Sequence, residues 1–251
     1  MLTGAAPWLT LPGPVIAPRI ERLVAVYPDH LAGIEGDWLV WKDGSRMEIG
    51  ASSPPRPFEE MLRSASIADQ LRQVYEPGPL RGPPPRDHNP GRLRNTAFFL
   101  KMYGDCLRGE VARRSRPVVW MPRTRAQPVP VTTVNGVATR LERVIDVLDT
   151  MPDRLKAYLT PSAGTYSCRS VADTGQPSMH AFGAAIDISV RYSDYWLWAS
   201  RSRDDVPYRN RIPMEIVEVF EAERFIWGGK WYRYDTMHFE YRPELFASGA
   251  G

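Results

Sequence analysis

The 251-residue chain carries 32 basic and 29 acidic residues, a net charge of +3, and 43% apolar residues with eight tryptophans. Such a composition is globular and aromatic-rich, the length suffices to bury a core without metal or disulfide support, and the near-balance of charge gives no argument for a nucleic-acid partner. No apolar run reaches the roughly eighteen residues that a membrane helix needs, and the opening 1-MLTGAAPWLTLPGPVIAPRI-20, proline-broken and without a basic start, is unlike a secretory signal.

Residues 1 to about 95 are punctuated by turn formers, notably 53-SPPRP-57 and 77-PGPLRGPPPRDHNPG-91. Between them, 37-DWLVWKDGSRMEI-49 alternates around Asp43-Gly44, which predicts a β-hairpin with a type I′ turn. Residues 59–75 predict a short helix. The stretch 89-NPGRLRNTAFFLKMYGD-105 predicts another, capped by Asn89, with Pro90 at its first position and Gly104 closing it. Strands are expected at 117-PVVWM-121 and 129-VPVTTV-134, with Asn135-Gly136 turning into a helical pattern over 137–159 whose apolar face holds Val137, Leu141, Val144, Ile145 and Leu148. Beyond 160, short strands are expected at 183-GAAIDISV-190, 224-RFIWGG-229 and 236-TMHFEY-241, with a helix at 213–223. The sum is an α+β fold: a small, mostly antiparallel sheet with flanking helices, preceded by an N-terminal extension with a β-hairpin and helices.

The chemistry concentrates in the second half. His180 and Asp187 are seven residues apart across Gly183, Ala184 and Ala185, and His238 follows Asp235 by three. Two imidazoles and one carboxylate are a ligand set for catalytic zinc that leaves a fourth position for water, and a further carboxylate, Asp235, could take that water's proton. Each residue alone has a plainer explanation: a hydrogen-bonded core histidine, or an aspartate satisfying backbone donors. Cys106 and Cys168 are compatible with one disulfide or with two buried thiols. The aromatics Trp196, Trp198, Trp227, Trp231, Tyr232 and Tyr234 suit core packing or a substrate groove. His30 and His88 sit in loop surroundings and read as solvated or structural.

The run Ser178-x-His180-x-x-Gly183-x-Ala185-x-Asp187 resembles the S-x-H-x-x-G-x-A-x-D signature of zinc peptidases that cleave D-amino-acid-containing peptides of bacterial cell walls. These include the vancomycin-resistance D-Ala-D-Ala dipeptidases and carboxypeptidases and the phage L-alanyl-D-glutamate endopeptidases, grouped with lysostaphin-type enzymes and the hedgehog signalling domain by a shared core. The downstream 225-FIWGGKWYRYDTMHFE-240 is similar to the family's second block, in which an acidic residue precedes the last histidine by three. The resemblance covers roughly residues 130–246 and implies a peptidase core at 126–251 with an extension at 1–125 packing on it.

By position, the resemblance implies Zn2+ held by His180, Asp187 and His238, Asp235 as general base, and Arg169 of 165-TYSCRS-170 facing the substrate carbonyl. Many relatives carry glutamate where this chain has the shorter Asp235. Ser178 is expected to shape the loop or touch substrate, with Trp231 and Tyr234 as further substrate contacts. A Cys106–Cys168 disulfide would tie the N-terminal half to the loop carrying Arg169.

The implied activity is hydrolysis of peptidoglycan stem peptides or cross-links, in the periplasm or outside the cell. Carboxypeptidase action would need a cation for a terminal carboxylate, for which Arg191, Arg201, Arg203, Arg209 and Arg211 are available. Two alternatives stand beside it: a catalytically silent, zinc-stabilised cell-wall or protein-binding module, and an intracellular peptidase or amidase.

Overall fold

A computed structural model describes residues 16–50, 56–171, 174–199, 202 and 205–246. The opening segment, part of the 53–57 loop, and Arg201 and Arg203 lie outside the described residues.

Helix α1 (Ala17–Val26) precedes a three-stranded antiparallel sheet of β1 (Leu31–Glu35), β2 (Trp38–Trp41) and β3 (Arg46–Glu48). The expected hairpin is β2–β3, with Val40 opposite Arg46 and Trp38 opposite Glu48. Its turn is not type I′. Gly44 takes positive φ, 81°, whereas Asp43 does not, and the Trp41 amide donates to the Ser45 carbonyl at 2.9 Å. That is a type I turn closed by a left-handed glycine, favoured because the Asp43 carboxylate accepts from the Ser45 amide. Strand β1 escaped the sequence pattern because 31-LAGIE-35 buries only Leu31.

The single helix expected over 59–75 is two, α2 (Phe58–Arg63) and α3 (Ile67–Gln70). Ser66 starts the second: its hydroxyl accepts from the Asp69 amide while Asp69 accepts from the Ser66 amide, a reciprocal cap. Helix α4 (Thr96–Tyr103) begins at Asn95 rather than Asn89. Asn95 Oδ1 caps it by accepting from the Phe98 amide, whereas Asn89 Oδ1 accepts from the distant Arg233 amide and Gly91, at φ 95°, cannot continue a helix.

After α5 (Glu110–Arg113), strands β4 (Ser115–Trp120) and β5 (Gln127–Thr132) form a hairpin. Helix α6 (Val137–Leu148) buries the five apolar residues of its predicted face. It stops before 159 because Pro152 cannot continue it, and α7 (Asp153–Lys156) restarts after that proline.

The last sheet positions the chemistry. Strands β6 (Ala185–Asp187), β7 (Phe225–Trp227) and β8 (His238–Tyr241) lie in the order β6-β8-β7, all antiparallel, with α8 (Trp196–Ala199) and α9 (Met214–Ala222) between β6 and β7 in the chain. The α+β class therefore holds, with three small antiparallel sheets among the described residues in place of one. Central β8 is buried throughout. Alternation sends Phe239 and Tyr241 to the face where Phe239 stacks on Phe220 at 3.8 Å between ring centroids, and sends His238 and Glu240 to the opposite face. One buried apolar cluster runs from Ile16 to Phe246; Phe99 of α4, for instance, lies 5.7 Å from Phe182 beside the site. No helix among the described residues is long and apolar enough to cross a membrane.

Candidate metal centre

His180 sits in a short 3-10 turn, Met179–Phe182, in which the His180 amide is capped by the Ser178 hydroxyl. Its Nδ1 hydrogen bonds to the Thr165 carbonyl, so Nδ1 carries the proton and Nε2 keeps a lone pair. Asp187 ends β6 directly opposite His238 of β8. His238 Nε2 donates to Glu240 Oε2 at 2.9 Å, which leaves Nδ1 as the atom that bears the lone pair of the neutral ring. The two free nitrogens and one Asp187 oxygen converge: His180 Nε2 to His238 Nδ1 is 3.2 Å, His180 Nε2 to Asp187 Oδ1 3.1 Å, and His238 Nδ1 to Asp187 Oδ1 3.0 Å.

Ligands about 2.0–2.1 Å from a tetrahedral zinc stand roughly 3.3 Å apart, so this triangle is close to the right size. The donor chemistry fits as well. Each imidazole already spends its other nitrogen on a carbonyl or carboxylate, the usual arrangement behind a metal-bound histidine. The three residues form a potential metal-ligating group, with the two histidines buried.

In the absence of a cation His238, Asp187, Glu240 and Asp235 all titrate away from their usual ranges. Burial opposes charge on His238, but hydrogen bonds to Asp187 and Glu240 outweigh it and raise the ring to about 10. Burial likewise opposes charge on Asp187, yet the two histidines hold it far below the usual carboxylate range. Glu240 is lowered to about 2, burial being outweighed by His238, Arg94 and Arg242. Asp235 goes the other way: burial first, then the Asp187 charge, push it up to about 6.

Asp235 stands at the end of the 228–235 loop, and His238 donates its amide to the Asp235 carbonyl at 3.2 Å. Gly228 is required there, since a Cβ at 228 would lie 2.5 Å from that same carbonyl oxygen. Asp235 Oδ1 is buried without a hydrogen-bond partner, an arrangement that a purely structural aspartate rarely shows. Arg169, half exposed on its side chain, brings Nη2 to 4.0 Å from Asp187 Oδ2. The neighbouring Cys168 is disulfide-bonded to Cys106, with Cα atoms 5.6 Å apart.

The three expected substrate contacts are all buried. Ser178 is buried and its hydroxyl accepts from the His180 amide at 3.3 Å, so it shapes the turn that carries His180. Trp231 is buried with its ring 5.5 Å from the His238 ring, and its indole N–H donates to the Pro90 carbonyl. Tyr234 is buried and gives its hydroxyl to the Pro207 carbonyl. The polar ends of all three make hydrogen bonds within the protein. Of the aromatic set, Trp196 and Trp227 are also core, while Trp198 is exposed. Arg211 pairs with Asp194 and Arg191 stacks on Tyr192, leaving Arg209 as an exposed arginine of the described set.

Sequence reading missed Glu240, which sits behind His238. Its signal was present in 238-HFEY-241: two residues on along a strand is the same face.

Residues 172–241 match a peptidase M15 family model described as D-alanyl-D-alanine carboxypeptidase. The match spans both motif blocks and supports a peptidase acting on D-Ala-D-Ala-type peptidoglycan peptides. Neither the curated proteins nor the solved structures provide a match to the chain.

Proposed function

We propose that this chain is a zinc metallopeptidase that hydrolyses peptide bonds in peptidoglycan stem peptides or cross-links, with residues 126–251 as its peptidase core and residues 1–125 as an extension packing on that core. The observation that carries this is the convergence of three lone-pair donors to within 3.0–3.2 Å, with the second nitrogen of each histidine already committed elsewhere. The family match over 172–241 supplies the substrate class.

His180 Nε2, Asp187 Oδ1 and His238 Nδ1 would hold the zinc. When bound, zinc supplies Lewis acidity that polarises the scissile carbonyl and brings a water's pKa towards roughly 7. Asp235 is the general base: Oδ1, buried and unpartnered, takes a proton from the attacking water and later delivers it to the leaving amine. Arg169 faces the oxyanion that develops on the carbonyl, where a fixed guanidinium stabilises the transition state more than the ground state. The workplace is extracytoplasmic, where the substrate is found and where the Cys106–Cys168 disulfide persists.

The test is digestion of purified peptidoglycan by wild type and by Asp235→Ala, each analysed for metal, with products identified by mass. Defined stem-peptide fragments from wild type alone, both proteins carrying zinc, are expected. Zinc in both and fragments from neither would overturn the peptidase assignment and leave a zinc-stabilised binding module.

A further inference from the structure

Glu240 is held from two directions. Its Oε2 accepts from His238 Nε2 at 2.9 Å, and its Oε1 accepts from Arg242 Nη1 at 2.9 Å. Arg94 Nη1 lies 3.9 Å from the oxygen that serves His238. The same two arginines converge on one backbone atom, the Gly91 carbonyl, at 2.8 Å from Arg242 and 3.2 Å from Arg94. Gly91 must be glycine here: a Cβ would meet Ile226 Cδ1 at 2.5 Å and Glu240 Oε1 at 3.0 Å. Arg242 Nε donates to Glu244 Oε1 at 2.6 Å, and Tyr27 at the end of α1 donates to Glu244 Oε2 at 2.7 Å.

The chain around Gly91 also grips the base-carrying loop. The Tyr232 amide donates to the His88 carbonyl, the Arg233 amide to Asn89 Oδ1 and the Trp231 indole to the Pro90 carbonyl. Residues 88–94 thus run beneath both halves of the site, which is why they are not helical.

We propose that Glu240 is a positioning residue for the metal centre, held in place by the strap of residues 88–94 from the N-terminal half. This rests on the zinc site proposed above. By accepting the Nε2 proton, Glu240 fixes the His238 tautomer so that the Nδ1 lone pair faces His180 and Asp187, and its charge raises the basicity of that nitrogen. The strap supplies Arg94 and the Gly91 carbonyl, so the N-terminal half completes the ligand support. A role confined to neutralising buried arginines would not need Oε2 on the imidazole, since Arg94 stands beyond hydrogen-bond distance of it.

The test uses the full chain. Zinc affinity is measured by competition with a chromophoric chelator for wild type, Glu240→Gln, Glu240→Ala and Arg94→Met, and long-range 1H–15N spectra of the zinc-loaded proteins identify which His238 nitrogen carries the proton. Glu240→Gln, which keeps an acceptor, is expected to weaken zinc by about tenfold and Glu240→Ala by up to about a hundredfold, with Arg94→Met between wild type and Glu240→Gln. Wild-type His238 should carry its proton on Nε2. Because Glu240→Ala strips a buried counter-charge from Arg242, Glu240→Gln decides the matter if the alanine variant fails to fold. Unchanged zinc affinity in Glu240→Gln would overturn the positioning role alone, and a wild-type proton on Nδ1 would overturn it together with Nδ1 as the ligand atom. A wild type that takes up no zinc would overturn the metal site itself.

Discussion

Asp187 and His238 are register partners on adjacent strands, β6 and β8, with Oδ1 and Nδ1 3.0 Å apart although fifty-one residues separate them in the chain. Opposite residues of an antiparallel pair project from the same face with short Cβ separations, so sheet pairing alone delivers two of the three candidate ligands. The neighbouring pair, Ala185 and Glu240, follows the same logic: a small residue on β6 stands opposite the carboxylate that holds His238. Asp187→Asn is therefore expected to fold with an unchanged sheet and lose stoichiometric zinc, read by metal analysis after gel filtration alongside circular dichroism.

Asp235→Asn should separate metal binding from chemistry. It removes the proton acceptor and leaves all three ligands, so zinc content should match wild type while kcat falls by roughly 10²–10⁴-fold. A variant that lost both zinc and activity would instead make Asp235 a ligand.

Arg169→Met is expected to lower kcat by about 10²–10³-fold, the range for removing one oxyanion donor, with zinc affinity and thermal stability near wild type because its side chain is half exposed. Arg169→Lys should recover part of that loss. A change confined to KM would assign Arg169 to ground-state binding.

Metal-free protein should show a pH-dependent stability that zinc reverses. The folded-state value for His238, about 10, lies above its ordinary 6.5, so its contribution is complete below about 6.5 and is lost as pH rises through about 10. The melting temperature of chelator-treated wild type should accordingly fall across that interval, and His238→Gln should be flatter. With zinc present the decline should disappear, because the deprotonated ring is the form that binds metal. Calorimetry at several pH values in each condition reads all three outcomes.

The disulfide closes a loop between residues 62 apart in sequence, for which chain-entropy reasoning gives about 4 kcal/mol of stabilisation. Denaturant unfolding with and without reductant should show a loss of that order. Because Cys168 adjoins Arg169, activity of the Cys106→Ala, Cys168→Ala double variant should fall even at temperatures where it remains folded.

The sequence by itself determined the class of chemistry and most of the regular elements of the second half. Short motifs carry local information: His180-to-Asp187 spacing, the α6 stripe and the apolar runs of β6, β7 and β8 are all set by neighbours in the chain. Only the tertiary structure decided which nitrogen of each histidine is free, because the Thr165 carbonyl and the Glu240 carboxylate that occupy the others are brought there by packing and strand register. Tertiary structure also overrode the local signal at 89–94, where an asparagine, a proline and a later glycine spell a helix start. There Asn89 Oδ1 and the Pro90 and Gly91 carbonyls accept hydrogen bonds from Arg233, Trp231 and Arg242, residues 140 and more positions away, while Arg94 lies 3.9 Å from Glu240, and the backbone goes where those partners are. Local propensity is worth about 1 kcal/mol at a cap, which several buried hydrogen bonds and an ion-paired carboxylate readily outweigh.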